Sequence, residues 1–246
     1  GYFADAKKND IYAGNTSAWA EKYGVNGSYN ATCPVARDAN GNIIYDAKGN
    51  PLQMYYNYGG RNYKFEGGDV IYEDINHDGQ INELDMVYLG SSNPKLNGGF
   101  GFDIYYKRWS LKTSFNFRVG NKIVNMARMK AEDMRTNRNQ SMATRWRWRK
   151  NGDITTIPRA MSAEVGASYN ALCSDRYVEP GDYVRFQYVQ LAYDFAPEKL
   201  KRLGLRSLRL ALSGNNLIFW SKYSGVDPEH SQSGWSPCMD NSQTPR

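Results

Sequence analysis

The chain has 246 residues and a formal net charge of +6, with 19 Tyr, 23 Gly and 14% aromatics. No run approaches the ~18 apolar residues of a transmembrane helix, which excludes a helical span but not barrel strands of about 9–11 residues with one apolar face. The charge gathers between Arg118 and Lys150, with ten basic residues against two acidic ones, while an acidic stretch lies at residues 66–85; no continuous phosphate-binding stripe is suggested, and a nucleic-acid partner is not expected.

The chain opens at Gly1 with no basic or apolar leader pattern, and no targeting segment is read in it. Residues 1–67 show little periodicity and carry turn signals at Asn26-Gly27, Asn40-Gly41, Gly49-Asn50-Pro51 and Gly59-Gly60. Ile43-Ile44-Tyr45 and Leu52 to Tyr58 are expected to be short strands. Cys33, Cys173 and Cys238 are far apart and odd in number, with neither metal-site spacing nor a disulfide framework.

The sharpest local motif runs from Asp74 to Asp85. Read as a twelve-position calcium loop, Asp74, Asn76 and Asp78 hold positions 1, 3 and 5 and Gly79 makes the turn at 6. Gln80 offers its backbone carbonyl at 7, Asn82 stands at 9 and Asp85 at 12. Asp85 replaces the usual Glu, so its shorter side chain weakens bidentate coordination. A structural Ca2+ held by Asp74, Asn76, Asp78, Gln80, Asn82 and Asp85 is one expectation; an Asx-rich turn with no ion is the other. A β-like Met86 to Leu89 follows, so this is not a paired EF-hand.

From Gly99 the pattern is strict. Phe100, Phe102, Ile104 and Tyr106 alternate with Gly101, Asp103 and Tyr105. After Lys107-Arg108-Trp109, Leu111, Thr113, Phe115 and Phe117 alternate with Lys112, Ser114, Asn116 and Arg118. One face is then aromatic and apolar, the other polar. A long excursion follows from Gly120 to Gly181, weakly helical over Ile123 to Met134, with Ile123, Ala127, Lys130 and Met134 on a rough common face. A second hairpin joins Tyr183–Phe195 to Arg206–Leu212 through a turn at Glu198–Gly204. Arg209 outward in lipid would cost roughly 2–4 kcal/mol, so the register must turn it inward beside Ser207. Residues 214–246 read as a further external loop.

No catalytic or cofactor-binding residue is assigned. His77 and His230 are 153 residues apart, neither stands near a serine elbow, a HExxH pattern or a cysteine, and no carboxylates are paired for acid–base work. The run Arg145-Trp-Arg-Trp-Arg-Lys150 is read as a solvated basic face or one that meets an anionic lipid or sugar surface, ahead of a nucleic-acid contact through charge and stacking. Trp146, Trp148, Trp220 and Trp235 stack on sugar rings, or are girdle and loop-core residues.

Four ordered motifs are similar to the SusC/RagA-like family of TonB-dependent outer-membrane receptors. They are Gly68-Asp69 leading to Tyr72 and Asp74–Asp85; Leu89-Gly90-Ser-Ser-Asn-Pro94 with Gly98-Gly-Phe100 and Tyr106; Tyr183-Val-Arg185-Phe with Tyr193-Asp-Phe-Ala-Pro197; and Ser213-Gly214-Asn215-Asn216-Leu217 with Lys222-Tyr223-Ser-Gly225-Val-Asp227-Pro228-Glu229. The resemblance covers roughly residues 67–246. It implies a 22-stranded barrel with an N-terminal plug, energised through TonB and covered by a SusD-like surface lipoprotein lid that captures oligosaccharides or peptides. Thr244-Pro245-Arg246 resembles the run just before the family's last strand, which is expected to be absent along with the plug.

The fold class expected is all-β, part of a transmembrane antiparallel β-barrel with long extracellular loops. Residues 1–98 form a region of loops and short strands around the calcium-like loop, and residues 99–246 form barrel strands and external loops. The function expected is that of the C-terminal barrel part of an importer in the bacterial outer membrane, contacting lipid, with Lys112, Asn116, Arg118 and Arg209 on the solute side. The alternative is a secreted or surface β-rich module that binds carbohydrate or protein with calcium.

Overall fold

The computed structural model describes residues 10–13, 35–135, 138–150, 153, 155–162, 169–201, 204–229 and 239–240. Cys33, His230, Trp235, Cys238 and Thr244-Pro245-Arg246 lie outside these residues. The chain divides into two units that interleave along it. One comprises residues 1–92, 123–179 and 230–246, the other 93–122 and 180–229. The division expected at residues 98 and 99 follows the chain linearly, whereas the excursion from Ile123 to Glu179 clusters with the first segment.

The second unit is one antiparallel sheet. Its strands, numbered in chain order through the whole protein, are β6 (Leu96–Tyr106), β7 (Trp109–Val119), β10 (Tyr183–Asp194) and β11 (Arg209–Ser221). They lie in the order β11-β10-β7-β6. Lys107, at φ 54°, and Arg108 close the β6–β7 turn. A short helix, Pro197–Lys201 (α2), stands in the connection between β10 and β11, and its Leu200 is buried. The long segments leave from the opposite strand ends, as the hairpin pattern requires.

Register fixes the faces. Phe100, Phe115, Phe186 and Ile218 form one row across the sheet, and Ile104, Leu111, Leu191 and Leu212 form another. Trp109, Tyr193 and Leu210 continue that face toward the β6–β7 turn and the α2 connection. Phe115 stacks on Phe100 at 5.0 Å and on Phe186 at 4.6 Å, while the outer side of the face is open: Phe100, Ile104, Leu210 and Leu212 are all exposed. The hydroxyl of Thr113, the polar side chain of that face, donates to the carbonyl of Phe102 at 3.1 Å and so carries no unsatisfied proton into an apolar medium. The other face holds Asp103, Lys112, Asn116, Gln190, Arg209 and Asp194.

Two irregularities keep the faces pure. Between Phe186 and Tyr188, β10 advances two residues while β7 advances one, from Phe115 to Ser114; over the same level β11 advances three, from Ile218 to Asn215. Asn216, at φ 50°, sits in this bulge. The segment from Gly214 that reads as loop in the sequence is thus strand to Ser221, because the bulge absorbs the turn-like Asn215-Asn216 and the apolar alternation resumes at Ile218 and Trp220.

The first unit carries short strands: β1 (Asp10–Ala13) pairs with β5 (Val87–Ser91), and β2 (Tyr55–Tyr58) lies between β3 (Arg61–Lys64) and β4 (Gln80–Ile81). A third sheet joins β8 (Lys122–Asn125), β9 (Val178–Pro180) and β12 (Met239–Asp240). Ile43 and Tyr45 form isolated bridges to Arg37 and Pro51 rather than a strand of their own. The helix expected over 123–134 is confined to Met126–Glu132 (α1), capped by Asn125, whose side chain accepts the Arg128 amide at 2.8 Å. Ile123 belongs to β8 and Lys130 is exposed, so the expected common face does not form.

The core of this unit gathers Ala36, Met54, Tyr56, Phe65, Val70, Tyr72, Ile81, Met161 and Tyr169. Tyr63 stacks on Tyr169 with centroids 4.4 Å apart. At its edge a buried carboxylate, Asp69, binds the Arg159 guanidinium at 2.7 Å and accepts from Tyr63 Oη at 2.7 Å and Asn170 Nδ2 at 3.0 Å.

Candidate functional site

Three places carry functional chemistry, beginning with the polar face of the sheet. Lys112, Asn116, Arg118 and Arg209 all fall on it, as the alternation predicts. Lys112 Nζ lies 3.6 Å from Asp103, and Arg209 reaches Asp194 at 3.7 Å and Ser110 Oγ at 3.1 Å. Arg185 binds Asp227 at 2.7 Å and Glu229 at 3.3 Å, and its guanidinium lies 5.6 Å from the Tyr183 ring, which Arg118 approaches equally closely. This is a surface of paired charges and amides, suited to water or a polar solute. Trp220, read from the sequence as a loop residue, instead lies in β11 on the apolar face opposite Val184.

The loop at 74–85 is the second place. Asp74 accepts from the amides of Asp78 at 3.2 Å and Gly79 at 2.7 Å, and Asp78 from Gln80 at 2.7 Å. Asp85 accepts from Ile75 at 2.8 Å and Asn82 at 2.9 Å, while Asn82 accepts from Leu84 at 2.7 Å. Asn76 Oδ1 takes the Asp78 amide at 3.1 Å. Gly79, at φ 82°, makes the sharp turn where a Cβ would stand 2.7 Å from Leu52 Cδ2. Burial raises the Asp74 and Asp85 carboxyls above the usual range, and the charge of Asp78 adds to both. The six residues read as ligands thus share one turn, although among the described residues no three His, Cys, Asp or Glu side chains converge at metal-ligand separation.

The third place is the Arg/Trp run. Met142–Trp146 is a 3-10 turn begun by Ser141, whose hydroxyl accepts the Ala143 amide at 3.2 Å. Trp148 packs against the core, with Gly68 beneath it: a Cβ on Gly68 would lie 2.4 Å from the indole. Trp146 is 78% exposed. The two tryptophans, equivalent in sequence, therefore separate into a packing residue and a surface residue. Nearby, Glu132 of α1 joins Arg128 and Arg176, each at 2.9 Å, which ties the helix to the 3-10 turn Asp175–Tyr177.

Strands of 11–13 residues joined at one end by a two-residue turn and by a longer connection through α2, apolar on one face and polar on the other, define a segment of transmembrane β-barrel wall. No family model matches the chain. Among curated proteins it is similar to TonB-dependent receptor P26 of Formosa agariphila, 32% identical over 168 residues, which is 68% of this chain and 17% of the relative. It is also similar to receptor P3 of the same organism, 28% identical over 162 residues, 66% of this chain and 15% of the relative. In structure it is similar to the RagAB peptide importer in its closed-closed state, with a TM-score of 0.56 and 18% identity over 96% of this chain and 21% of that one. The open-open state gives a TM-score of 0.54 at 18% identity over 70% and 19%. The sequence thus resembles TonB-dependent receptors, and the fold is that of the matching RagAB segment. The chain spans between 15% and 17% of the length of these curated relatives.

Proposed function

We propose that this chain forms C-terminal barrel wall and outer loops of a bacterial outer-membrane importer, energised through TonB, which takes up oligosaccharides or peptides beneath a surface lipoprotein. The observation that carries this reading is the open apolar face of β6, β7, β10 and β11, backed by a face of paired charges. A soluble module would have to cover that face, since monomeric soluble proteins rarely leave so large an apolar patch in water. Lipid covers it in a barrel wall, where Lys112, Asn116, Arg118 and Arg209 face the solute path.

Single cysteines introduced at Leu210, Leu212, Ala211 and Ser213 of the intact protein test this wall. A membrane-soluble maleimide should label the first pair and an impermeant one the second; water-accessible labelling of all four would reject the wall. Growth on a single oligosaccharide or peptide source, lost on deleting either the protein or TonB, tests import.

A structural calcium ion at Asp74, Asn76, Asp78, Gln80, Asn82 and Asp85 is a separate part of the proposal, supported by the oxygen-donor spacing and by the burial of both end carboxyls. It would draw the carboxylates from their amide partners. Calorimetry on the intact protein that finds no calcium binding up to about 1 mM would reject it.

A further inference from the structure

The 3-10 turn and the segment after it line an open concavity with Met142, Arg145, Trp146, Arg147, Arg149 and Lys150. Four of these six are cations. Asp153 also lines the concavity, but its carboxylate is occupied by the amides of Arg149 at 3.0 Å and Lys150 at 3.1 Å. Among the described residues none of the four cations forms an ion pair. The guanidinium contacts recorded for Arg147 and Arg149 go to the carbonyls of Thr144 and Arg145, at 3.4 and 3.0 Å. Unpaired cations gathered in a concave wall raise the local concentration of anions. Trp146 and Met142, 78% and 70% exposed, add apolar surface that folding leaves uncovered.

The backbone narrows the choice of ligand. The Arg147 amide donates to Thr144 at 3.2 Å, the Trp148 amide to Ile157 at 3.0 Å, and the next two amides to Asp153. One way an extended peptide binds is by adding a strand to free backbone groups, and these amide donors are already taken. Side chains must therefore do the recognition. Guanidinium forks pair with carboxylate or sulfate groups, and an exposed indole face takes the apolar face of a flat ring.

We propose that this concavity binds an acidic oligosaccharide, with Arg145, Arg147, Arg149 and Lys150 holding its carboxylates or sulfates and Trp146 stacking on a ring. The proposal rests on the importer reading and names its substrate class. Calorimetry on the intact protein in detergent, at low salt, tests it with tetragalacturonate, a sulfated galactan tetrasaccharide, neutral maltotetraose and tetraglutamate. At least one acidic saccharide should bind, with maltotetraose and tetraglutamate at least about tenfold weaker, and Trp146→Ala should cost roughly tenfold, the order of one aromatic stacking contact. Arg145→Gln with Arg149→Gln should weaken binding further and flatten its salt dependence, at an unchanged melting temperature. The inference is overturned if neither acidic saccharide binds up to about 1 mM, if tetraglutamate binds as well, or if the variants change nothing. A protein that still imports a nutrient in cells but fails this test overturns the acidic-saccharide site alone.

Discussion

Asp69 and Arg159 stand 90 residues apart in the chain and meet at 2.7 Å, the carboxylate side chain fully buried. Burial works against the charge on Arg159, yet the hydrogen bond and charge of Asp69 outweigh it and raise the guanidinium further. Burial, and after it the hydrogen bond and charge of the same carboxylate, lifts the Tyr63 hydroxyl above its ordinary value. Asp69→Ala leaves Arg159 its second carboxylate, Glu66 at 2.7 Å, but takes the acceptor from Tyr63 Oη and Asn170 Nδ2, so it should destabilise this unit by about 1–3 kcal/mol. Hydrogen exchange over residues 63–72 and 157–162 should show the loss of protection, and unchanged exchange there would rule out the pair as an organising contact.

Adjacent positions in β11 should respond oppositely to charge. Leu212 lies on the apolar face and Ala211 on the polar one. Leu212→Arg should cost roughly 2–4 kcal/mol of folding in a bilayer, whereas Ala211→Arg should cost far less. Denaturant titration in lipid vesicles measures both, and equal penalties would mean that the register is wrong.

Trp148 has a buried indole N–H with no hydrogen-bond partner among the described residues. Trp148→Phe removes that donor while keeping most of the ring, so stability should change by less than about 1.5 kcal/mol. Trp148→Ala should cost about 3–5 kcal/mol by opening a cavity over Gly68. Thermal unfolding separates the two, and a Phe variant as unstable as the Ala variant would show that the N–H has a partner.

Cys173 is partly buried, and burial pushes its thiol up to about 11. A raised folded value favours the protonated form. The stability it supports is complete below the thiol's ordinary value and lost as pH rises toward about 11. Iodoacetamide at pH 8 should therefore modify Cys173 far more slowly than a free thiol, and at free-thiol rates only after denaturation; fast modification of the folded protein would contradict this.

The hairpin at 96–119 was legible in the sequence because alternation and a tight turn are local signals. So were the faces of Lys112 and Arg209. The continuation of β11 was not, because Gly214-Asn215-Asn216 spells a turn and only the neighbouring strand turns it into a bulge. Period-two counting back from Tyr193 would also have sent Arg185 into lipid, since the extra residue at Gln187 shifts the parity. The Arg/Trp run offered two tryptophans with no local mark of which packs inward. Gly68, some 80 residues away, decides it for Trp148. The Asp69–Arg159 contact joins segments too distant for any periodicity to connect.

That bulge also bears on the shape of the whole wall. Between the rows at Phe115 and Ser114, β10 gains one residue on β7 and β11 gains two. Extra residues in a bulge stay out of the ladder, bend their strand and raise its right-handed twist. The wall thus bends and twists most at one level, near the strand ends from which the long segments leave.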